Sequence, residues 1–265
     1  MIPFYIEEDH TGSYWFLKGI NDSDEGMTLI NFDAHSDATS LPNLGGDIEE
    51  RIQSYSWLCP LMPRPFSQYI WVVPGLLDEE YQAWAESELQ GEMSRGPVVE
   101  RFSENGGTIA SHTEVVDLPG LRRLNLSDPV VVTIDLDFFT RRTEYGEDLV
   151  HILRWTGEIE NLQAVTIAIS PVYLPEDQGW MYEMLETLFG EALRHQDWSI
   201  QFEPFIDRGR ETSRWALEME ADGRGIPRLD VTSAPPSLVR LWKANRKRIS
   251  VENEADTWEA LLDRL

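Results

Sequence analysis

The chain has 265 residues, 42% of them hydrophobic, which is enough to bury a substantial core in one large α/β domain. Its formal net charge of −25 excludes a nucleic-acid or anionic-lipid surface as the default partner and favours cationic ligands, although acidity also serves plain solubility. One cysteine, Cys59, rules out an internal disulfide or a thiolate metal cluster within a single chain. No stretch approaches the roughly 18 apolar residues of a membrane span and the N-terminus lacks a signal-peptide pattern, so a cytoplasmic protein is expected.

In chain order, Pro3 to Glu8 reads as a first strand, followed by Asp9, His10 and a helix through Tyr14 to Leu17 that ends near Gly19. Met27 to Phe32 is an apolar run that hardly alternates, as in a strand buried on both faces, and it leads into Asp33-Ala34-His35-Ser36-Asp37. Residues 38 to 50 are rich in Ser, Pro, Asn and Gly and read as a loop beside that motif, with a short helix toward Trp57. A strand is expected over 68–73, an amphipathic helix over 76–92, and one or two strands over 98–116 interrupted at Asn105-Gly106-Gly107.

Val130 to Leu136 is a second apolar strand, ending in Asp135-Leu136-Asp137. His151 falls on a helix, 162–169 reads as a strand closed by Ser170-Pro171, 176–195 as a long helix and 198–205 as the last clear strand. The tail from Ser237 holds two helical patterns, and one of them gathers Arg240, Lys243, Arg246, Lys247 and Arg248 into a solvated face or an intersubunit contact with the acidic body, with a leader-peptide or anion contact as the alternative. Strands alternating with helices imply a mostly parallel sheet covered on both sides. The expected organisation is a single domain over 1–265 with a helical C-terminal extension from about residue 206.

Chemistry concentrates at the two strand ends. Residues two apart in extended chain share a face, so Asp33, His35 and Asp37 would project together, as would Asp135 and Asp137. Buried carboxylates without a partner or cation are expensive, and these sit on strands flanked by Ile134, Phe138 and Phe139. With His10 they make six ligands, enough for two ions. The excess of carboxylate over imidazole, with no thiolate, points to Mn²⁺ before Zn²⁺.

The order His, Asp-x-His-x-Asp, Asp-x-Asp resembles the ureohydrolases, that is arginases, agmatinases and formiminoglutamases. Glu8-Asp9-His10, Asp33 to Asp37, Ile134 to Phe139, and Val165 to Ala168 followed by Pro175-Glu176-Asp177-Gln178 are together similar to an atypical branch that includes peptide arginases. The resemblance covers roughly residues 4 to 205. It implies a three-layer α/β/α fold of the arginase/deacetylase type, two Mn²⁺ per subunit held by His10, Asp33, His35, Asp37, Asp135 and Asp137, and hydrolysis of peptidyl-arginine to ornithine and urea in a ribosomally made precursor peptide. Homo-oligomers are common in the family.

The chain departs from arginases of free arginine at Thr140 and Arg141, and at Ile169-Ser170, where a guanidinium-binding glutamate would stand. Glu8, Glu176 and Asp177, with Glu7, are candidates for the missing carboxylate. Asp37 is a candidate for proton transfer, and so is His112 if its loop folds over the site. A small-molecule ureohydrolase, a metal-dependent deacetylase and a noncatalytic peptide-binding protein are the alternatives.

Overall fold

The computed structural model describes residues 1–20, 26–38, 52, 54–92, 109–174, 178–203 and 233–251. The described elements in chain order are β1 (Ile2–Glu7), α1 (His10–Lys18), β2 (Met27–Phe32), β3 (Phe66–Val72), α2 (Glu79–Glu92), β4 (Thr113–Val116), β5 (Val130–Asp135), α3 (Tyr145–Gly157), β6 (Leu162–Ala168), α4 (Gln178–Ala192), β7 (Trp198–Glu203), α5 (Pro236–Ala244) and β8 (Ile249–Val251). The described strands form one eight-stranded sheet in the order β4-β3-β2-β5-β6-β1-β7-β8, and neighbours pair in parallel throughout.

Alternation along the strands sorts the core into two layers. Phe4, Ile6, Ile30, Phe32, Val132, Ile134, Val165 and Ile167 face one side, against α3, α4 and α5 through Leu153, Leu185 and Trp242. Leu29, Tyr69, Trp71, Val131 and Ala164 face the other, against α1 and α2 through Tyr14, Leu17, Ala85 and Leu89. The expected α/β class with a parallel sheet covered on both faces is what the chain forms.

The second face is built differently from the first. Along it, β6 carries Ala164, Thr166 and Ala168 at alternate positions, all fully buried. These small side chains let α1 lie close against β6, where Ser13 Oγ of the helix meets Thr166 Oγ1 at 2.9 Å. Asp9 caps the helix by accepting from the Thr11 amide at 2.7 Å, so the helix begins at His10. The close approach carries His10 across the end of β6 toward β5.

Several boundaries move by one to three residues, as helix and strand ends do. The tail is a larger correction: 249–251 is a short strand paired with β7, where a helical pattern is expected, and 252–265 lie outside the described residues. Arg248 is fixed by donating to the carbonyls of Leu193 at 2.6 Å and His195 at 2.9 Å, just past the end of α4. Part of the expected basic face is therefore engaged in capping. Among the described residues no helix is long and apolar enough to cross a membrane.

Packing of α1 on β6 gives a first expectation. Ala164→Leu adds three carbons where the helix must approach the sheet, and should destabilise the fold by about 1–3 kcal/mol in urea unfolding. A leucine at the neighbouring exposed position, Gln163→Leu, should be close to neutral.

Candidate metal centre

At the C-terminal ends of the strands, on the face covered by α1 and α2, the apolar lining gives way to polar groups in register. Leu29 is followed by Asn31 and then Asp33, and Val131 by Thr133 and then Asp135, each two residues on and so on the same face. Thr133 Oγ1 donates to Asn31 Oδ1 at 2.6 Å, and Asn31 Nδ2 donates to Asp33 Oδ2 at 3.2 Å and to the Tyr69 hydroxyl at 3.3 Å. The first ligand carboxylate thus stands on a buried polar ladder that spans two strands.

The motif residues beyond Phe32 do not continue the strand. The chain turns: the His35 amide donates to Asp33 Oδ1 at 2.7 Å, the Ala34 amide to Asp137 Oδ1 at 3.2 Å, and Asp37 takes φ of 50°. Aspartate tolerates that left-handed backbone better than most residues, and the turn sends its carboxylate back to His10. The second motif also turns. Asp135 closes β5 and accepts from the Asp137 amide at 2.9 Å, opening a 3₁₀ turn over Leu136–Arg141. Simple alternation therefore yields the convergence but not its geometry.

Six side chains meet. His10 Nδ1 lies 2.6 Å from Asp37 Oδ2 and 3.5 Å from both Asp33 Oδ2 and Asp135 Oδ2. His35 Nδ1 lies 2.9 Å from Asp137 Oδ2, off the line of a ring N–H, and 3.7 Å from Asp33 Oδ1. Ligand atoms of His10, Asp33 and Asp135 fall within 4.8 Å of one another, and so do those of Asp33, His35 and Asp137. Asp33 belongs to both groups and is the donor that two ions held there would share.

Electrostatics supplies the test of fit. The four aspartates are each 6% exposed or less. Burial, then repulsion from Asp37, Asp137 and Asp135, lifts Asp33 well above the ordinary carboxylate range. Burial, then Asp137, pushes Asp135 up to about 8. Burial by itself would lower His10, but Asp135 and Asp37 outweigh it and bring the imidazole to about 9. The bare cluster is thus short of positive charge and takes up protons to compensate; one or two divalent cations among these donors would supply that charge directly.

The surroundings hold the donors in place. Trp57 Nε1 donates to Asp37 Oδ2 at 2.6 Å, Ser170 Oγ to Asp135 Oδ2 at 2.6 Å, Trp71 Nε1 to the Asp33 carbonyl at 3.0 Å, and Tyr69 to the Ser36 carbonyl at 2.8 Å. None of these four is evident from the motifs alone. Asn31 and Thr133 had a signal, since they extend the period of two upstream from each ligand. Above the donors opens a cavity of about 110 Å³, with His10, His35, Asp37 and Asp135 in its floor and Tyr55, Trp71, Trp84 and Tyr173 around it.

Two expected roles do not fit their positions. His112 stands at the start of β4 and its Nδ1 meets the Ser67 carbonyl at 3.1 Å, at the opposite end of the sheet. About 17 Å of strand, five residues at about 3.3 Å each, separates that end from the site, so His112 cannot exchange protons there. Glu8 extends the β1–β6 ladder by accepting from the Ser170 amide at 2.7 Å, and it does not line the cavity. Glu7 is wholly buried against Ser13. Glu176 and Asp177 lie outside the described residues.

No protein-family model matches the chain, and no curated protein sequence does. Among solved structures, the chain is similar to a Clostridium difficile protein assigned as an agmatinase, with 14% identity and a TM-score of 0.47 over 73% of this chain and 66% of that one. It is similar to the Entamoeba histolytica arginase solved with L-ornithine, with 17% identity and a TM-score of 0.38 over 71% and 69%. It is also similar to proclavaminate amidino hydrolase from Streptomyces clavuligerus, with 18% identity and a TM-score of 0.44 over 73% and 63%. The chain spans just under two thirds of the length of the first and the last of these.

Protonation of the bare cluster sets a pH dependence. Asp135 has an ordinary value of 3.8 and a folded value of about 8, so its contribution to stability is complete below the first and lost as pH rises through the second. His10, raised from 6.5 to about 9, runs the same way. Metal-stripped protein should lose thermal stability progressively between about pH 4 and pH 9, most steeply where both groups contribute above about pH 6.5, and added divalent cation should restore most of it at the alkaline end. A melting series with and without cation checks this. Ser170→Ala should weaken cation affinity by about 10–100-fold, measured by calorimetry, because Asp135 loses the donor that fixes its orientation.

Proposed function

We propose that this protein is a ureohydrolase that cleaves the guanidino group of an arginine side chain, with two Mn²⁺ held by His10, Asp33, His35, Asp37, Asp135 and Asp137. The observation that carries this reading is the pair of donor groups sharing Asp33 beneath an open cavity. The order and spacing of the motifs, which resemble those of ureohydrolases, support it. Carboxylates outnumber imidazoles two to one in the donor set, which suits Mn²⁺ better than Zn²⁺.

Bound divalent cations supply Lewis acidity and bring a water's pKa toward neutrality. The protein's own groups do the rest. Among the described residues the two contacts of Asp37 with His10 and Trp57 both fall on Oδ2, which leaves Oδ1 to take the proton of the attacking water. The water oxygen bonds to the guanidinium carbon, the bond from that carbon to the side-chain nitrogen breaks, Asp37 returns the first proton to the departing nitrogen, and the second proton of the water follows it as the carbonyl of urea forms, leaving an ammonium. Ornithine and urea result. Ser170 and Trp57 hold Asp135 and Asp37 so that little reorganisation accompanies the change in charge.

The substrate in this reading is arginine within a ribosomally made precursor peptide, acted on in the cytoplasm. The cavity is open to solvent between two partly exposed aromatic residues, Trp84 and Tyr173, which suits a side chain offered by a larger molecule. The large negative charge of the chain suits a basic peptide.

The test is urea release from Mn²⁺-loaded protein given free arginine, agmatine and an arginine-containing peptide, with mass spectrometry of the peptide. The expected result is urea together with a loss of about 42 mass units per modified arginine, dependent on metal. Urea from a small molecule alone would replace the peptide substrate with a free one. Acetate from an acetylated lysine peptide, with no urea, would favour a deacetylase. Asp33→Ala and Asp135→Ala should each lower turnover by at least about 1,000-fold, since Asp33 is common to both donor groups and Asp135 completes the group that contains His10.

A further inference from the structure

The floor of the cavity is acidic, but among the described residues the only carboxylates that line it are Asp37 and Asp135, both of them donors of the cluster. A guanidinium bound there needs a further partner for its planar face. The walls offer one of a different kind. Tyr173 lies beside His35, with ring centroids 5.3 Å apart, and follows Ser170, whose hydroxyl holds Asp135. Trp84, which lines the same cavity, packs against Trp71 at 5.8 Å and against Tyr81 at 5.1 Å, and Trp71 is tied to the Asp33 carbonyl.

Both aromatic walls are thus anchored to the same loops that carry the donors. Trp84 remains 38% exposed and Tyr173 37%, among the few large apolar side chains that the described structure leaves open to solvent. Their packing against neighbours costs them freedom before any ligand arrives, so a ligand entering between them orders little. Aromatic faces attract cations through their quadrupole, and the attraction grows where water is excluded and where negative charge lies beyond. Flat, delocalised guanidinium suits such faces better than a compact, strongly hydrated ammonium.

Resting on the ureohydrolase reading, we infer that Trp84 and Tyr173 form an aromatic clamp that selects a guanidinium-bearing side chain at the mouth of the cavity. Trp84 contacts the cation or its stem from α2, and Tyr173 from the turn after β6. The clamp acts in binding, so it sets KM and selectivity, while the aspartates below set turnover.

The experiment is equilibrium binding of n-butylguanidinium to Mn²⁺-loaded protein by calorimetry, with n-butylammonium and neutral n-butylurea as comparison ligands. Butylguanidinium should bind at least about tenfold more tightly than butylurea, and more tightly than butylammonium. Trp84→Leu and Tyr173→Leu should each weaken it by about tenfold, while Trp84→Phe and Tyr173→Phe stay within about threefold of wild type. Equal Mn²⁺ content across the variants establishes that the fold and the donors are intact.

Unchanged affinity in both leucine variants, or equal binding of butylguanidinium and butylurea, overturns the clamp. The two readings separate cleanly. Urea release with unaltered KM in the leucine variants leaves the reaction standing and removes the clamp. Absence of urea from every guanidino compound, with guanidinium binding still lost in the leucine variants, removes the reaction and leaves the clamp.

Discussion

Four carboxylates, Asp33, Asp37, Asp135 and Asp137, are held together out of water beside the buried His10 and the half-exposed His35, and their mutual repulsion is the constraint around which the rest is arranged. Like charges a few ångströms apart in a poorly solvated place cannot all remain ionised without compensation. Protons on Asp135 and His10 provide it in part, and divalent cations held among these donors would provide the rest. A fold that keeps such a cluster must spend packing and hydrogen bonds elsewhere to hold it, and the arrangement of this chain reads as that expenditure.

Holding it requires two loops and a helix to converge from three strands. Adjacent β2 and β5 bring their motifs together directly, as parallel neighbours with matched ends. His10 comes from β1, two places away in the sheet, with β6 between. The small residues Ala164, Thr166 and Ala168 on one face of β6 allow α1 to close that distance. Larger side chains, Val165, Ile167 and Ile169, fill the opposite face against α4. One strand thus satisfies two demands by alternating: bulk for stability on one side, close approach for the site on the other.

Much of this was legible beforehand because it follows from periodicity. The apolar runs over β2 and β5 and the period of two in both motifs have local causes, and they located most of the donors. Elements such as α3 and α4 were legible for the same reason. What escaped has a nonlocal cause. Trp57 and Ser170 reach their aspartates from segments 20 and 35 residues away, and no local pattern marks either. His112 was misplaced because a residue's distance along the chain says nothing about which end of a parallel sheet it occupies. The strand Ile249–Val251 was missed because three residues are too few to show a period, and its place at the sheet edge beside β7 decides its conformation.

The aromatic walls show the same limit. Trp84 on an amphipathic helix and Tyr173 in a short turn look like ordinary surface or core aromatics in sequence; only the fold sets them on the rim of one cavity. In the proposed account, function is divided between donors that announce themselves by spacing and walls that do not.

The central claim, that the cluster is a two-cation site, is tested most directly by titrating Mn²⁺ into metal-stripped protein while following bound metal and its electron paramagnetic resonance signal. Two ions per chain with a spin-coupled signal, reduced to one or none in Asp33→Asn, is the expected result, because Asp33 is the donor common to both groups. Binding of a single isolated ion in wild type, or two ions unaffected by Asp33→Asn, would contradict it.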